Sequence, residues 1–160
     1  MLDALGDIGD FLGGIGVVVT LLYLATQIRQ NTLSSRTESY QAAVTSISDW
    51  SLNVWVSPES ARVIHAGLFD MDTLGPTERA QFSALMSAQF RNYENVHYQY
   101  VSGVIARSLW LGFERRIAGM LSLPGVQTWW SEQKYAHSDE FQSAIDNLEP
   151  IPSKLEPPTV

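Results

Sequence analysis

Residues 11–28 read FLGGIGVVVTLLYLATQI, a run with no charged side chain, fenced by Asp10 before it and Arg29 after it. As a helix it covers about 27 Å at about 1.5 Å per residue, close to the roughly 30 Å of a hydrocarbon core. The run therefore predicts a single N-terminal transmembrane helix, long enough to span but without slack. Its Leu, Ile, Val and Phe side chains favour insertion by on the order of 3 to 6 kcal/mol together. Gly13, Gly14, Gly16, Thr20 and Gln27 erode that margin, so the helix wants protein neighbours as well as lipid. A cleaved signal peptide would need a basic leader and a small-residue cleavage site, whereas the leader here carries Asp3, Asp7 and Asp10. A helix buried in a water-soluble core is the remaining alternative.

Charge sets the expected orientation. Arg29 and Arg36 follow the run and the leader holds only acids, which places a short N-terminus outside and the larger C-terminal part in the cytoplasm. A cytoplasmic membrane is the setting this implies. The faces of the helix are unequal. Gly6, Gly9, Gly13, Gly16 and Thr20 recur at steps of three and four and share one side. Phe11, Ile15, Val18 and Leu22 take another side, expected to face lipid. Small residues let a second backbone approach closely, so the glycine side predicts self-packing into a homo-oligomer.

The 160-residue chain offers one anchor and one modest domain. Cysteine is absent, which excludes disulfides, thiolate metal sites and thiol nucleophiles. The net charge is −7 with no basic run, which argues against nucleic acid as a partner.

Residues 1–33 are read as leader and transmembrane helix, 34–149 as a cytoplasmic helical domain, and 150–160 as a proline-rich extended tail. Between Val17 and Ser57 there is neither glycine nor proline, so one unbroken helix through residues 31–35 is the economical expectation. Ser35-Arg36-Thr37-Glu38 matches a capping box that would instead begin a new helix there. Tyr40, Val44, Ile47 and Val54, flanked by Ala43 and Trp50, recur at helical spacing and need a partner surface.

Ser57-Pro58 opens a short helix that Gly67 is expected to end, and a loop over 69–75 follows. Pro76 opens the clearest helix, with Phe82, Leu85, Met86, Tyr93, Val96 and Tyr100 as its core stripe. Gly103 precedes a further helix carrying Trp110, Phe113 and Ile117. Pro124-Gly125 starts the next, with Trp129 and Trp130, one expected in the core and the other over a neighbouring helix or subunit. Ser138-Asp139-Glu140 begins the last. No alternating strand pattern appears, so the fold class is all-α: a transmembrane helix continuing into a cytoplasmic helical bundle.

Chemistry-bearing patterns are sparse. Arg91, Glu94, Asn95 and Tyr98 stand at i, i+3, i+4 and i+7, a polar stripe beside the core stripe. Such a stripe reads as an internal hydrogen-bond and ion-pair network, with Glu114, Arg115 or Arg116 as expected partners, or as a ligand contact. Glu94 and His97 have the Glu-x-x-His spacing of carboxylate-bridged di-metal bundles, but no second pair exists. His65 and His137 have no ligand-spaced neighbours. No nucleophile elbow occurs, and Gly13-Gly14-Ile15-Gly16 lies inside the apolar run, not after a strand. No enzyme activity, metal or cofactor is expected.

The run of residues 13–32, GGIGVVVTLLYLATQIRQNT, resembles the opening of a widespread group of small bacterial proteins of unknown function. Residues 90–95 (FRNYEN), 98–100 (YQY) and 124–130 (PGVQTWW) are similar to later segments of that group. The resemblance implies a bacterial membrane-anchored helical protein and carries no activity to any residue. The reading is a non-enzymatic, self-associating single-pass membrane protein with a cytoplasmic interaction or sensing module. Two alternatives stand beside it. One is an oligomeric pore lined by Thr20, Gln27 and Asn31. The other is an accessory subunit whose glycine side meets another membrane protein.

Overall fold

The computed structural model describes the backbone of residues 2–157, and of that stretch the side chains other than those of residues 2–12, 50, 51 and 53–56. The described residues are all-helical. Their elements are α1 (Leu2–Val56), α2 (Pro58–Phe69), α3 (Pro76–Val101), α4 (Arg107–Met120), α5 (Pro124–Gln133) and α6 (Asp139–Asp146), with 3-10 turns at Met71–Thr73 and Lys134–Ala136. Contacts divide the chain into two units, Met1–Glu38 and Ser39–Val160.

In the first unit α1 passes through residues 31–35 without a break, so Ser35 caps no new helix. Every described side chain from Gly13 to Glu38 is exposed. The large apolar ones between Ile15 and Leu33 are 46% to 67% exposed. Polar groups here close on their own helix. The hydroxyls of Thr20, Thr26 and Thr32 donate to the carbonyls of Gly16, Tyr23 and Ile28 at 2.8, 2.7 and 2.8 Å. Gln27 Nε2 donates to the Tyr23 hydroxyl at 2.7 Å. Among the described residues no helix is long and apolar enough to cross a membrane. The side chains of Phe11 and Leu12, on which the apolar run opens, lie outside them, as do those of Gly6 and Gly9.

The second unit is built around a close crossing of α2 and α5. A Cβ on Gly125 would lie 2.9 Å from Leu68 C and closer still to Gly67 O. A Cβ on Gly67 would lie 2.7 Å from Phe82 Cε2 of α3. Gly67 therefore does not end α2, which runs on to Phe69 and is closed by the Asp70 N–H on Ala66 O. Glycine stands there because the Phe82 ring of α3 occupies the space a side chain would take. The expected loop over 69–75 holds the 3-10 turn and buries Met71 and Leu74.

Local chemistry sets the helix starts. Ser57 Oγ accepts the Ser60 N–H ahead of α2, and Ser138 Oγ accepts the Phe141 N–H ahead of α6, each at 3.4 Å. Glu78 Oε2 accepts the Gly75 N–H at 2.9 Å at the head of α3. Gly103, at φ 74°, lets the chain leave α3 in the left-handed region.

The core joins Phe82, Met86, Phe90, Tyr93 and Val96 of α3 to Val63 of α2, Ile117 of α4, Val126 and Trp129 of α5, and Phe141 of α6. Leu85 and Tyr100 are only partly buried. From α1, Ile47 of the expected stripe and the flanking Ala43 reach this core and Tyr40 is half-buried, while Val44 stays exposed. Both tryptophans are buried, Trp129 against α3 and Trp130 against α6, the latter a neighbouring helix of the kind that one of them was expected to cover. Trp129 Nε1 donates to Ser83 Oγ of α3 at 3.1 Å, and Trp130 Nε1 to Asp146 Oδ1 of α6 at 2.9 Å. Helices on both sides of α5 cover side chains that point about 100° apart.

The segment after α6 is extended and tied down. Ile151 N–H bonds Ala118 O at 3.0 Å, Ser153 N–H bonds Ser122 Oγ at 3.0 Å, and the Glu156 carbonyl meets His65 Nε2 at 3.1 Å.

Two glycine substitutions should separate close contact from free surface. Gly125→Ala drives a methyl into backbone and should destabilise by about 3 kcal/mol or more. Gly112→Ala, on α4 with nothing within 4 Å, should stabilise by roughly 0.5 to 1 kcal/mol. Equal unfolding midpoints for the two variants would contradict the crossing. Fully buried Gln89 makes no well-formed hydrogen bond through its amide among the described residues, bearing on the Tyr93 hydroxyl without good geometry. Gln89→Met should therefore raise stability, by about 1 kcal/mol, and a lowered midpoint in thermal unfolding would show that its amide is satisfied.

Candidate functional site

The polar stripe of α3 gathers its partners from residues 136–138, between α5 and α6, and not from Glu114, Arg115 or Arg116. Glu94 is the centre. Its Oε1 accepts the Ser138 N–H at 2.7 Å, and its Oε2 meets His137 Nδ1 at 2.9 Å and Arg91 Nη1. Arg91 Nη2 donates to Ala136 O at 2.8 Å. The Glu94 side chain is 13% exposed, that of His137 2%, and that of Arg91 59%. Of the three expected partners, Arg116 instead donates its Nε–H to the Tyr93 hydroxyl at 3.1 Å.

Burial pushes the Glu94 carboxyl up. The Ser138 N–H, His137 and Arg91 outweigh it and hold the pKa below the ordinary 4.5. His137 packs among the rings of Phe90, Trp130 and Phe141 at 6.4, 5.5 and 5.5 Å between centroids. It was invisible as a partner in the sequence, because Glu94 lies 43 residues away.

His97 does not join Glu94. Its ring lies between Trp110 and Phe141, at 5.1 and 5.6 Å, and burial lowers its pKa from 6.5 against the pull of Glu140, Glu94 and Glu114. The Glu-x-x-His pair is thus divided between two surroundings. Among the described residues no group of three His, Asp or Glu could hold a metal ion.

Above Glu94 lies an open groove of about 510 Å³, lined by Arg91, Asn92, Glu94, Asn95, Tyr98 and Ser138. The structure thus brings all four stripe residues together and adds Asn92 and Ser138. Asn92 Oδ1 accepts the hydroxyl of Ser46 on α1 at 2.9 Å. Asn95 Oδ1 accepts Gln99 Nε2 at 3.4 Å. Elsewhere in the stripes named from the sequence, Gly13 and Gly16 have nothing within 4 Å of a built Cβ, and Thr20, Gln27 and Asn31 are exposed.

No family model, curated protein or solved structure matches the chain.

Removing the carboxylate should cost more than removing the guanidinium. Glu94→Ala strands the buried His137 Nδ1 and the Ser138 N–H and should lower stability by about 2 to 3 kcal/mol. Arg91→Ala leaves Glu94 with two donors and should cost about 1 kcal/mol or less. The reverse order in denaturant unfolding would contradict this geometry. The pH dependence follows from the same groups. Glu94 has a depressed folded pKa, so its contribution is complete above about 4.5 and is lost as pH falls through the folded value. His97 acts earlier: below about 6.5 the unfolded chain takes up a proton that the folded ring resists. Stability should thus decline from near pH 6.5 downward. His97→Phe should flatten the upper part of that decline, and Glu94→Gln the lower.

Proposed function

We propose that this chain is a non-enzymatic, membrane-anchored helical protein that self-associates through α1 and presents Ser39–Val160 as an interaction module. The observation that carries the reading is the exposed apolar run of α1, with large side chains 46% to 67% exposed. Apolar surface on that scale is covered in the working protein, by lipid or by another chain. Its polar residues favour lipid, because Thr20 and Thr26 return their hydroxyls to their own helix and Gln27 spends an amide N–H on Tyr23. In hydrocarbon every donor has to be satisfied from within the protein.

The side bearing Gly13 and Gly16 is open, as close helix packing requires, and Gly6 and Gly9 extend the same spacing. Arg29 and Arg36 favour a cytoplasmic C-terminal unit in a bacterial inner membrane. The likeness of residues 13–32 to a group of small bacterial proteins agrees with this placement.

Carbonate extraction of membranes tests the anchor: the full-length chain should stay in the pellet, and a monodisperse soluble monomer would overturn the reading. Cross-linking tests the packing side. Gly13→Leu should improve insertion and reduce the oligomer several-fold, while Leu22→Ala leaves it intact. Equal oligomer in Gly13→Leu and wild type would remove the glycine side from the interface.

A further inference from the structure

The groove on α3 has a one-sided hydrogen-bond inventory. Its acceptors already have donors: Glu94 takes Ser138 N–H, His137 and Arg91, Asn92 Oδ1 takes Ser46, Asn95 Oδ1 takes Gln99, and Ser138 Oγ takes Phe141 N–H. The donors are largely unspent. Arg91 uses two of its five N–H groups, on Glu94 and Ala136 O. The Nδ2 amides of Asn92 and Asn95 and the hydroxyl hydrogen of Tyr98 have no acceptor among the described residues, while the Ser138 hydroxyl is spent on Glu94.

A surface of donors around an unsaturated guanidinium suits a ligand that brings oxygen acceptors and negative charge. Asp139 and Glu140, exposed on the first turn of α6 beside Ser138, oppose a second negative charge on that ligand. Tyr98, 67% exposed, and Val101 one turn further, 44% exposed, offer an apolar strip for the rest of the molecule. The volume of about 510 Å³ is that of a small organic compound.

We propose that this groove is a binding site for a small organic monocarboxylate, its carboxylate held by Arg91 and the Asn95 amide and its apolar body laid along Tyr98. The Glu94–His137 contact then has a positioning role. It holds Arg91 against Ala136, while the contacts of Glu94 to His137 and the Ser138 N–H fix the carboxylate beneath the ligand. The groove lies wholly within Ser39–Val160, so this binding and the anchoring of α1 can fail independently.

Equilibrium binding of radiolabelled benzoate to the purified full-length chain tests it, with unlabelled benzoate, benzamide and inorganic phosphate as competitors. Competition by unlabelled benzoate distinguishes a site from partition into detergent. The expected result is saturable binding, with benzamide and phosphate each competing about tenfold or more weakly. Arg91→Gln should weaken binding about tenfold, and Asn95→Asp, which turns a donor into a carboxylate, should abolish it. Both residues are exposed, and an unchanged unfolding midpoint confirms that each variant is folded. Absence of saturable benzoate binding overturns the proposal. So does binding unchanged in a folded Arg91→Gln or Asn95→Asp protein, phosphate competing better than benzoate, or benzamide competing equally.

Discussion

The contact on which the second unit depends is the approach of two backbones at Gly67 and Gly125. No side chain larger than hydrogen fits on either side, since one faces the Phe82 ring and the other the carbonyl of Gly67 itself. Packing at this distance joins α2, α3 and α5 into one piece, because α3 supplies the ring and α5 the backbone. The following turns of α5 then carry Trp129 and Trp130 to Phe90, at 4.8 and 5.2 Å between centroids. Residues 134–138 leave α5 directly beneath α3, which puts His137 and the Ser138 N–H within reach of Glu94. The polar cluster is thus a downstream result of a steric fit between two glycines.

The parts of the fold visible in the sequence are those with local causes. Helix starts at Pro58, Pro76, Pro124 and Ser138 follow from proline geometry and serine caps acting over three residues, and the structure has all four. The core stripe of α3 was readable at Phe82, Met86, Tyr93 and Val96 because periodicity is a property of one helix. Gly67 was misread because a helix terminator and a close contact leave the same mark in sequence, and only α3 and α5, far along the chain, separate the two. For the tryptophans the divergence of adjacent side chains was readable, but not which helix each of them meets. Arg91, Glu94, Asn95 and Tyr98 were legible as a stripe, but their partners sit on a turn with no pattern of its own.

The two units satisfy polar groups by different rules. In Met1–Glu38 the hydroxyls of Thr20, Thr26, Thr32 and Thr37 each return to a carbonyl three or four residues back. In Ser39–Val160 the telling bonds cross between elements, as in Trp129 to Ser83, Trp130 to Asp146 and Arg79 to Glu132. Such cross-bonds fix which helix lies beside which, whereas the local ones fix nothing beyond their own turn. Gln89 is the exception in the second unit, a fully buried amide that bears on the Tyr93 hydroxyl without a well-formed bond.

The continuity of α1 bears on the order in which the protein is made. Every hydrogen bond of a helix is local, so α1 can form as soon as it leaves the ribosome, ahead of all its neighbours. Ser46 waits for Asn92, 46 residues later, and Ala43 waits for a core that is completed only with Phe141. For most of synthesis, then, the nascent chain displays a finished apolar helix with nothing yet made to shelter it. A lipid or protein partner of the kind proposed above would therefore meet this helix before the second unit has formed.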